Sequence, residues 1–168
     1  MLLSTLLLAA IGTASVSASP SWMPGGGQVV INEDWKVPGD NPLYFCSDPK
    51  DNIATIKKVD LSPNPPVPGE PLSITASGDL SETVDEGSKM HLQVKYGLIT
   101  LINQEADLCE TVEKADLKCP IKKGELSLTK EVELPREIPP GTYHVLADVY
   151  TKDGDKITCL TATVAFHR

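Results

Sequence analysis

Aromatic side chains and positive charge are both scarce in this sequence. Phe, Trp and Tyr make up 5% of the 168 residues, which is little for filling a core of this size. Lys and Arg number 15 against 23 Asp and Glu, so the formal net charge is −8. A nucleic-acid-binding protein needs a basic face to displace counterions from phosphate, so the charge balance argues against that class. It also argues against simple electrostatic adhesion to anionic membranes.

Motifs of the common enzyme classes are missing as well. The sequence has no Gly-x-Ser-x-Gly, no His-Glu-x-x-His and no glycine-rich phosphate loop. The histidines, His91, His144 and His167, are scattered, and no Cys-x-x-Cys pair is present to suggest zinc. We therefore predict a protein that is not an enzyme and that binds no metal or other cofactor.

One apolar run lies at the amino terminus. Residues 1–18 carry an apolar stretch from Leu2 to Ile11, then small residues ending in Val16-Ser17-Ala18, a pattern typical of a secretory signal peptide. A transmembrane helix needs about 20 apolar residues, and no later segment is apolar enough to span a bilayer. We predict a signal peptide over residues 1–18 and a mature protein that enters the secretory pathway, to be secreted or to reach the vacuolar lumen.

The next stretch has an unusual composition. Residues 19–42 are rich in Gly and Pro and contain both tryptophans, Trp22 and Trp35. A processed pro-segment and a flexible arm both fit this composition, and we favour the pro-segment. Residues 43–168 then form one domain of ordinary length.

The four cysteines predict two disulfides. An even number of cysteines in a short exported chain indicates a disulfide framework, and four cysteines allow three pairings. Cys109 and Cys119 flank a polar loop and can close it locally, whereas Cys46 and Cys159 lie near the two ends of the domain. We therefore predict the pairs Cys46–Cys159 and Cys109–Cys119.

Most of the domain alternates with the two-residue period of β-strands. Apolar and polar residues alternate in the segments 53–61, 72–80, 88–102, 125–134, 143–150 and 157–166. We treat 88–102 as one long strand with a bulge or bend at Gly97. About seven strands at this spacing predict an all-β fold, an immunoglobulin-like β-sandwich of two antiparallel sheets.

The inward faces of such a sandwich are aliphatic, with few aromatic rings to fill the space between the sheets. An open apolar space is stable when an apolar ligand fills it, because an empty void forfeits packing contacts. The run LITLI, residues 98–102, is apolar on both sides, so we predict an apolar mouth there, beside the loop that Cys109 and Cys119 close.

Several motifs resemble the ML lipid-recognition family. Residues 116–124, DLKCPIKKG, resemble its Cys-Pro-Ile element, and residues 59–63, VDLSP, resemble its first long strand. Residues 140–143, Asp148 and residues 154–159 follow in the family's order. With the four cysteines, the resemblance covers residues 43–168. It is strongest toward the family's fungal phosphatidylglycerol/phosphatidylinositol transfer proteins, relatives of the luminal sterol carrier lost in Niemann-Pick disease type C.

The resemblance implies a monomeric carrier. It would hold a phospholipid or a sterol between its sheets, contact membranes transiently and transfer the lipid without a reaction. The small disulfide ring that the family usually carries after the Ser-Pro pair is replaced by residues 64–68, NPPVP. The resemblance places Leu61, Leu101 and Ile138 at the pocket mouth. With the strand alternation, we predict lipid contacts by Val59, Leu61, Leu72, Ile74, Leu92, Val94, Tyr96, Leu98, Leu101, Leu128, Val132, Ile138, Val145, Leu160 and Val164.

For three lysines the sequence leaves two possible roles open. Alternation places Lys57 on the face of Thr55, Val59 and Leu61, pointing inward, where it either pairs with a lipid phosphate or is a rim lysine. Lys122 and Lys123, beside the predicted mouth, either meet anionic headgroups or belong to a solvated turn. The alternative function is an exported β-sandwich module that recognises a protein or a glycan through its loops.

Overall fold

Eight strands in two antiparallel sheets make up the computed structural model, which describes residues 33–167. The strands are β1 (Leu43–Phe45), β2 (Ala54–Ser62), β3 (Pro71–Leu80), β4 (Lys89–Tyr96), β5 (Ile99–Asp107), β6 (Gly124–Glu133), β7 (Gly141–Tyr150) and β8 (Lys156–Phe166). One helix, α1 (Leu108–Glu113), follows β5, and short 3-10 turns cover Glu33–Trp35 and Pro49–Asp51. The predicted sandwich is confirmed. The predicted signal peptide and residues 19–32 lie outside the described residues.

The sheets have five and three strands, in the orders β1-β8-β7-β4-β5 and β2-β3-β6. Alternation in β3 is as predicted, since Leu72 and Leu80 are buried and Ile74 packs against a buried cluster. The predicted turn at Asp153-Gly154 joins β7 to β8, where the Gly154 N–H donates to the Thr151 carbonyl at 3.0 Å.

The prediction of one strand over residues 88–102 is wrong. The chain reverses at Gly97 and Leu98, and β4 and β5 form a hairpin. Gly97 adopts φ +54°, a conformation that tight hairpin turns require and that glycine adopts without steric cost. A bulge in β5 opposite Val94 and Lys95 leaves Leu101 unpaired, so the run LITLI belongs to a turn and a bulge rather than to a regular strand.

The inward orientation predicted for Lys57 is also wrong. The register of β2 on β3 shifts between Ile56 and Lys58, so Lys57 is the extra residue of a bulge. Its Nζ lies on the outer face of the three-stranded sheet, 2.7 Å from Asp79 and 3.7 Å from Glu125. Ile56 packs inward in its place, with Val59 and Leu61.

One end of the sandwich, the helix end, is closed. Leu108 of α1 packs with Leu80, Val84, Val149 and Ile157 in a buried cluster. Val84 also pairs through its backbone with Ile121. The Cys109–Cys119 disulfide, predicted from the sequence, ties α1 to the loop before β6, so that the helix end has both a packed core and a covalent tie.

One edge of the sandwich is closed by residues 36–41, the edge segment, which pairs with both sheets. The Val37 N–H donates to the Leu43 carbonyl of β1, and the Val59 N–H of β2 donates to the Pro38 carbonyl at 2.8 Å. Val37 is fully buried between Phe45 and Val59. The predicted Cys46–Cys159 disulfide joins the chain after β1 to β8 near this edge.

Candidate functional site

The space between the two sheets is the candidate site, and the strand register shows what lines it. Residues directly opposite each other on paired strands share a face, so Leu92 and Val94 of β4 face the same way as Ala147 and Val145 of β7. In the facing sheet, Ile74 and Ala76 of β3 pack inward. Most of these apolar side chains are half-buried rather than buried, although they face the interior. These inward-facing side chains are therefore only partly covered by the opposite sheet.

The sandwich opens along the edge formed by β5 and β6. These strands are edge strands of their respective sheets, and no backbone pairing joins them in the described part of the chain. Ile102 of β5, paired with the inward-facing Val94, is 38% exposed, and Val132 of β6 is 39% exposed. The two sheets thus meet at the edge segment and at the helix end, and they are apart on the remaining sides.

Exposed apolar side chains gather at the end opposite the helix, the open end. Leu98 in the β4–β5 turn is 101% exposed, and Ile99 and Leu101 are 62% and 54% exposed. With Ile102 and Val132 they form what we name the apolar rim. Soluble proteins rarely expose several large apolar residues together unless the patch meets a membrane, a ligand or a partner.

The predicted site residues fall into three groups. Val59 and Leu72 are buried. Half-buried are Leu61, Ile74, Leu92, Val94, Tyr96, Leu128, Ile138, Val145, Leu160 and Val164. Leu98, Leu101 and Val132 are exposed and belong to the apolar rim. The three predicted mouth positions, Leu61, Leu101 and Ile138, lie at or beyond the strand termini of the open end.

The prediction that the LITLI run lies beside the Cys109–Cys119 loop is wrong. The run begins β5 and the disulfide loop follows its other terminus, so the two are separated by most of a nine-residue strand, roughly 27 Å in length. Lys122 and Lys123 accordingly lie at the helix end, next to Ile121, and not beside the apolar rim.

The sequence analysis did not predict one of the inward-facing residues. Lys130 of β6 pairs with Ile74 of β3, and it lies on the same face as Leu128 and Val132. The signal was present, because the alternation Leu126, Leu128, Val132 skips one position, which Lys130 occupies. Every other side chain that the register places on the inner faces of the eight described strands is uncharged.

A second concavity lies on the outer face of the five-stranded sheet. This groove of about 880 Å³ has a mixed lining, with polar side chains such as Gln93, Lys95 and His144 beside apolar ones such as Leu98 and Leu146. These residues alternate with the inward-facing ones, so the groove is separate from the space between the sheets. His144 is hydrogen-bonded to Thr163 at 3.0 Å and His91 to Asn103 at 2.6 Å, both on this outer face.

Near the helix end, Tyr150 donates a hydrogen bond to the Asp148 carboxylate. This hydrogen bond, with burial, raises the pKa of Tyr150 to about 12, because ionisation would place a second negative charge beside the carboxylate. Lys156 lies 3.8 Å from the other carboxylate oxygen. The group is a structural polar network on the outer face, away from the apolar rim.

Comparison with known proteins gives one consistent family. A model of the ML domain matches residues 40–166. A phosphatidylglycerol/phosphatidylinositol transfer protein of Aspergillus fumigatus is 64% identical over 130 residues, covering 77% of this chain and 74% of that protein. A protein of the same description from Pyricularia oryzae is 53% identical over 171 residues, covering 100% of this chain and 94% of that protein.

Two solved structures share the fold. A Niemann-Pick type C2 protein from the Japanese carpenter ant aligns with a TM-score of 0.51 at 14% identity, over 73% of this chain and 98% of that chain. Chicken MD-1, crystallised with lipid IVa, aligns with a TM-score of 0.54 at 19% identity, over 74% of this chain and 88% of that chain. In residues 33–167 no helix has the length and hydropathy to cross a membrane. The matched family model and the relatives at more than 50% identity show that this chain belongs to the ML domain family.

Proposed function

We propose that this protein is a lipid carrier that takes one phospholipid between its two sheets and moves it between membranes. The observation that carries the proposal is the half-open sandwich, whose inner faces are apolar but incompletely buried and whose open end is bordered by the apolar rim. Relatives described as phosphatidylglycerol/phosphatidylinositol transfer proteins support a phospholipid with one of these headgroups. A sterol is the other ligand class that the space would suit.

Lipid transfer of this kind requires that the acyl chain be kept out of water, and it requires no catalysis. Moving an acyl chain from a membrane into water costs about 0.8 kcal/mol per CH₂ group. The inner faces of β3, β4 and β7 offer aliphatic side chains such as Ile74, Val94 and Val145, which remove most of that cost during transit. No bond in the lipid is made or broken, so the proposed role is that of a carrier and not of an enzyme.

The apolar rim is the proposed membrane contact. Leu98, Ile99 and Leu101 project from the β4–β5 hairpin at the open end, where a lipid would enter. Insertion of these side chains among acyl chains buries apolar area without requiring a positive protein charge. The contact is transient because only a few side chains enter the membrane.

The compartment and the mature boundaries are also part of the proposal. Two disulfides and an amino-terminal segment typical of a signal peptide indicate the secretory pathway, ending in the medium or in the vacuolar lumen. We propose cleavage after Ala18. Because Val37 is fully buried between the sheets, any further processing of residues 19–42 would leave the edge segment in place.

A single substitution tests the carrier function. Val94→Asp places a carboxylate on the inner face of β4, and we expect transfer of fluorescent phosphatidylglycerol between vesicles to be lost or strongly reduced, because burying that charge beside a lipid chain is costly. Gln93→Asp is the matched control, since Gln93 faces outward on the same strand. Unchanged transfer by folded Val94→Asp would contradict the proposal, as would equal losses in both variants. A wild-type protein that recognises a protein or glycan and moves no lipid would favour a binding module instead.

A further inference from the structure

On the inner faces of the eight strands that the structure describes, the register places one cation, Lys130. Lys130 is half-buried on the inner face of β6, two positions from Leu128 on one side and from Val132 on the other. Ile74 lies directly opposite it on β3. The neighbours that share its face are therefore all aliphatic.

Lys130 also differs from three of the strand lysines that face outward. Lys57 and Lys58 of β2 and Lys89 of β4 each lie within 2.7 Å of a carboxylate, on Asp79, Asp60 and Glu105. Lys130 makes no ion pair and no hydrogen bond with any residue in the described range 33–167. A half-buried ammonium group without a counter-ion is unfavourable unless an anion or water supplies the missing interactions.

The position of Lys130 suits an anion that enters from the open end. It lies three residues before the end of β6, so its Cα is roughly 10 Å from the terminus of the strand. Val132, between Lys130 and that terminus, belongs to the apolar rim, and Leu128 and Leu126 continue the same face toward the helix end. A lipid with its chains toward the helix end would have its headgroup near Lys130.

We propose that Lys130 binds the phosphate of the carried phospholipid and so selects a phosphate-bearing lipid over an uncharged one with the same chains. This inference rests on the proposed carrier function and names the residue that reads the headgroup. The Lys130 ammonium donates to the phosphate oxygens at the edge of the apolar space. A charge-assisted contact of this kind, partly shielded from water, is stronger than the same contact on an exposed surface.

The test compares two ligands that differ only in the phosphate-bearing headgroup. Dioleoyl phosphatidylglycerol and dioleoylglycerol are offered separately to the wild type, to Lys130→Met and to Lys130→Arg. For Lys130→Met we expect phosphatidylglycerol binding to weaken by about tenfold or more, with dioleoylglycerol binding unchanged. Lys130→Arg keeps the charge and should retain most of the preference. Lys152→Met, in the exposed β7–β8 turn at the helix end, is the matched control and should bind both lipids like the wild type.

The outcomes separate this inference from the carrier function. If Lys130→Met binds both lipids as the wild type does, or loses both equally, Lys130 does not read the phosphate, while the carrier function stands on the wild-type result. If the wild type binds neither lipid, the carrier function itself fails. Millimolar inorganic phosphate should not displace bound phosphatidylglycerol, and displacement by phosphate alone would assign Lys130 to a free anion and overturn the lipid assignment.

Discussion

At the scale of single residues, the closed edge depends on one buried amide. Asn41 is 5% exposed, and its Nδ2 donates to the Val59 carbonyl at 2.7 Å, while its Oδ1 accepts from the Leu43 N–H at 2.8 Å. One side chain therefore connects the edge segment to β1 and to β2, which belong to different sheets. Gly39 lies equally close, since a Cβ there would come within 2.0 Å of the Val59 carbonyl oxygen.

We predict that Asn41→Ala lowers the free energy of unfolding by about 1–3 kcal/mol, because it leaves buried backbone groups without partners. Urea unfolding measures the change. Asn64→Ala is the control, since the exposed Asn64 amide donates only to the Asp40 carboxylate, and we expect a smaller loss. Equal losses in the two variants would contradict the role of Asn41 as the connection between the sheets.

The Tyr150–Asp148 pair makes a prediction about alkaline stability. The pKa of Tyr150 is raised to about 12 in the folded protein, against about 10 in an unfolded chain. The protonated form is thus favoured by folding, so this contribution is fully present below about pH 10 and is lost as the pH rises through about 12. Tyr150→Phe should be less stable than the wild type at neutral pH, with the difference shrinking across that window. Parallel stability curves above pH 10 would contradict the raised pKa.

At the scale of elements, the β4–β5 hairpin combines a tight turn with an exposed apolar surface. Gly97 permits the reversal, and the bulge leaves a further apolar residue, Leu101, unpaired and exposed. Although the sequence predicts a lipid contact for Leu98, its full exposure in the β4–β5 turn favours contact with the membrane. We therefore expect Leu98→Glu to slow lipid transfer between vesicles by about tenfold while leaving the affinity for a soluble short-chain phospholipid unchanged.

Ser127→Glu is a suitable control for that experiment. Ser127 is exposed on the outer face of β6, so its substitution adds the same charge away from the apolar rim. Transfer by Ser127→Glu should match the wild type. Equal slowing in both variants would indicate a general effect of negative charge, and equal loss of short-chain binding would place Leu98 in the lipid-holding space.

The sequence alone was sufficient to predict the strands in which apolar and polar residues alternate regularly. The inner face of β3, the β7–β8 turn and the Cys109–Cys119 disulfide follow from local patterns. The Cys46–Cys159 disulfide follows from the position of these two cysteines near the ends of the domain, and the structure has all four features as predicted. Errors arose at the bulges, because an extra residue reverses the alternation without changing the composition. The bulge in β2 turned Lys57 outward, and the Gly97 turn divided one predicted strand into two.

The candidate site was predictable in its residue types but not in its openings. Alternation identifies Val94 and Leu128 as inward-facing, yet it carries no information on how far apart two sheets stand or which edges are closed. The edge segment closes one side through backbone hydrogen bonds around Val37, in a stretch whose composition favoured a pro-segment. Lys130 was overlooked because a polar residue in an apolar alternation is easily taken for an interruption.

At the scale of the whole molecule, the two sheets are joined on two sides of the sandwich. The helix end is held by a packed cluster and by the Cys109–Cys119 disulfide, and one edge is held by residues 36–41. In the described residues, no packed cluster, disulfide or backbone pairing joins the two sheets at the β5–β6 edge or at the open end. The β5–β6 edge and the open end are therefore the proposed routes of lipid entry.

The central claim is that the acyl chain lies between the sheets, and photo-crosslinking tests it most directly. A phosphatidylglycerol with a diazirine in its acyl chain is loaded into the protein, irradiated, and the modified peptides are mapped by mass spectrometry. We predict that modification falls on inward-facing residues such as Val94, Leu128 and Val145. Modification confined to the outer groove, around Lys95 and His144, would contradict the claim, as would a loaded protein with no modified residue on the inner faces.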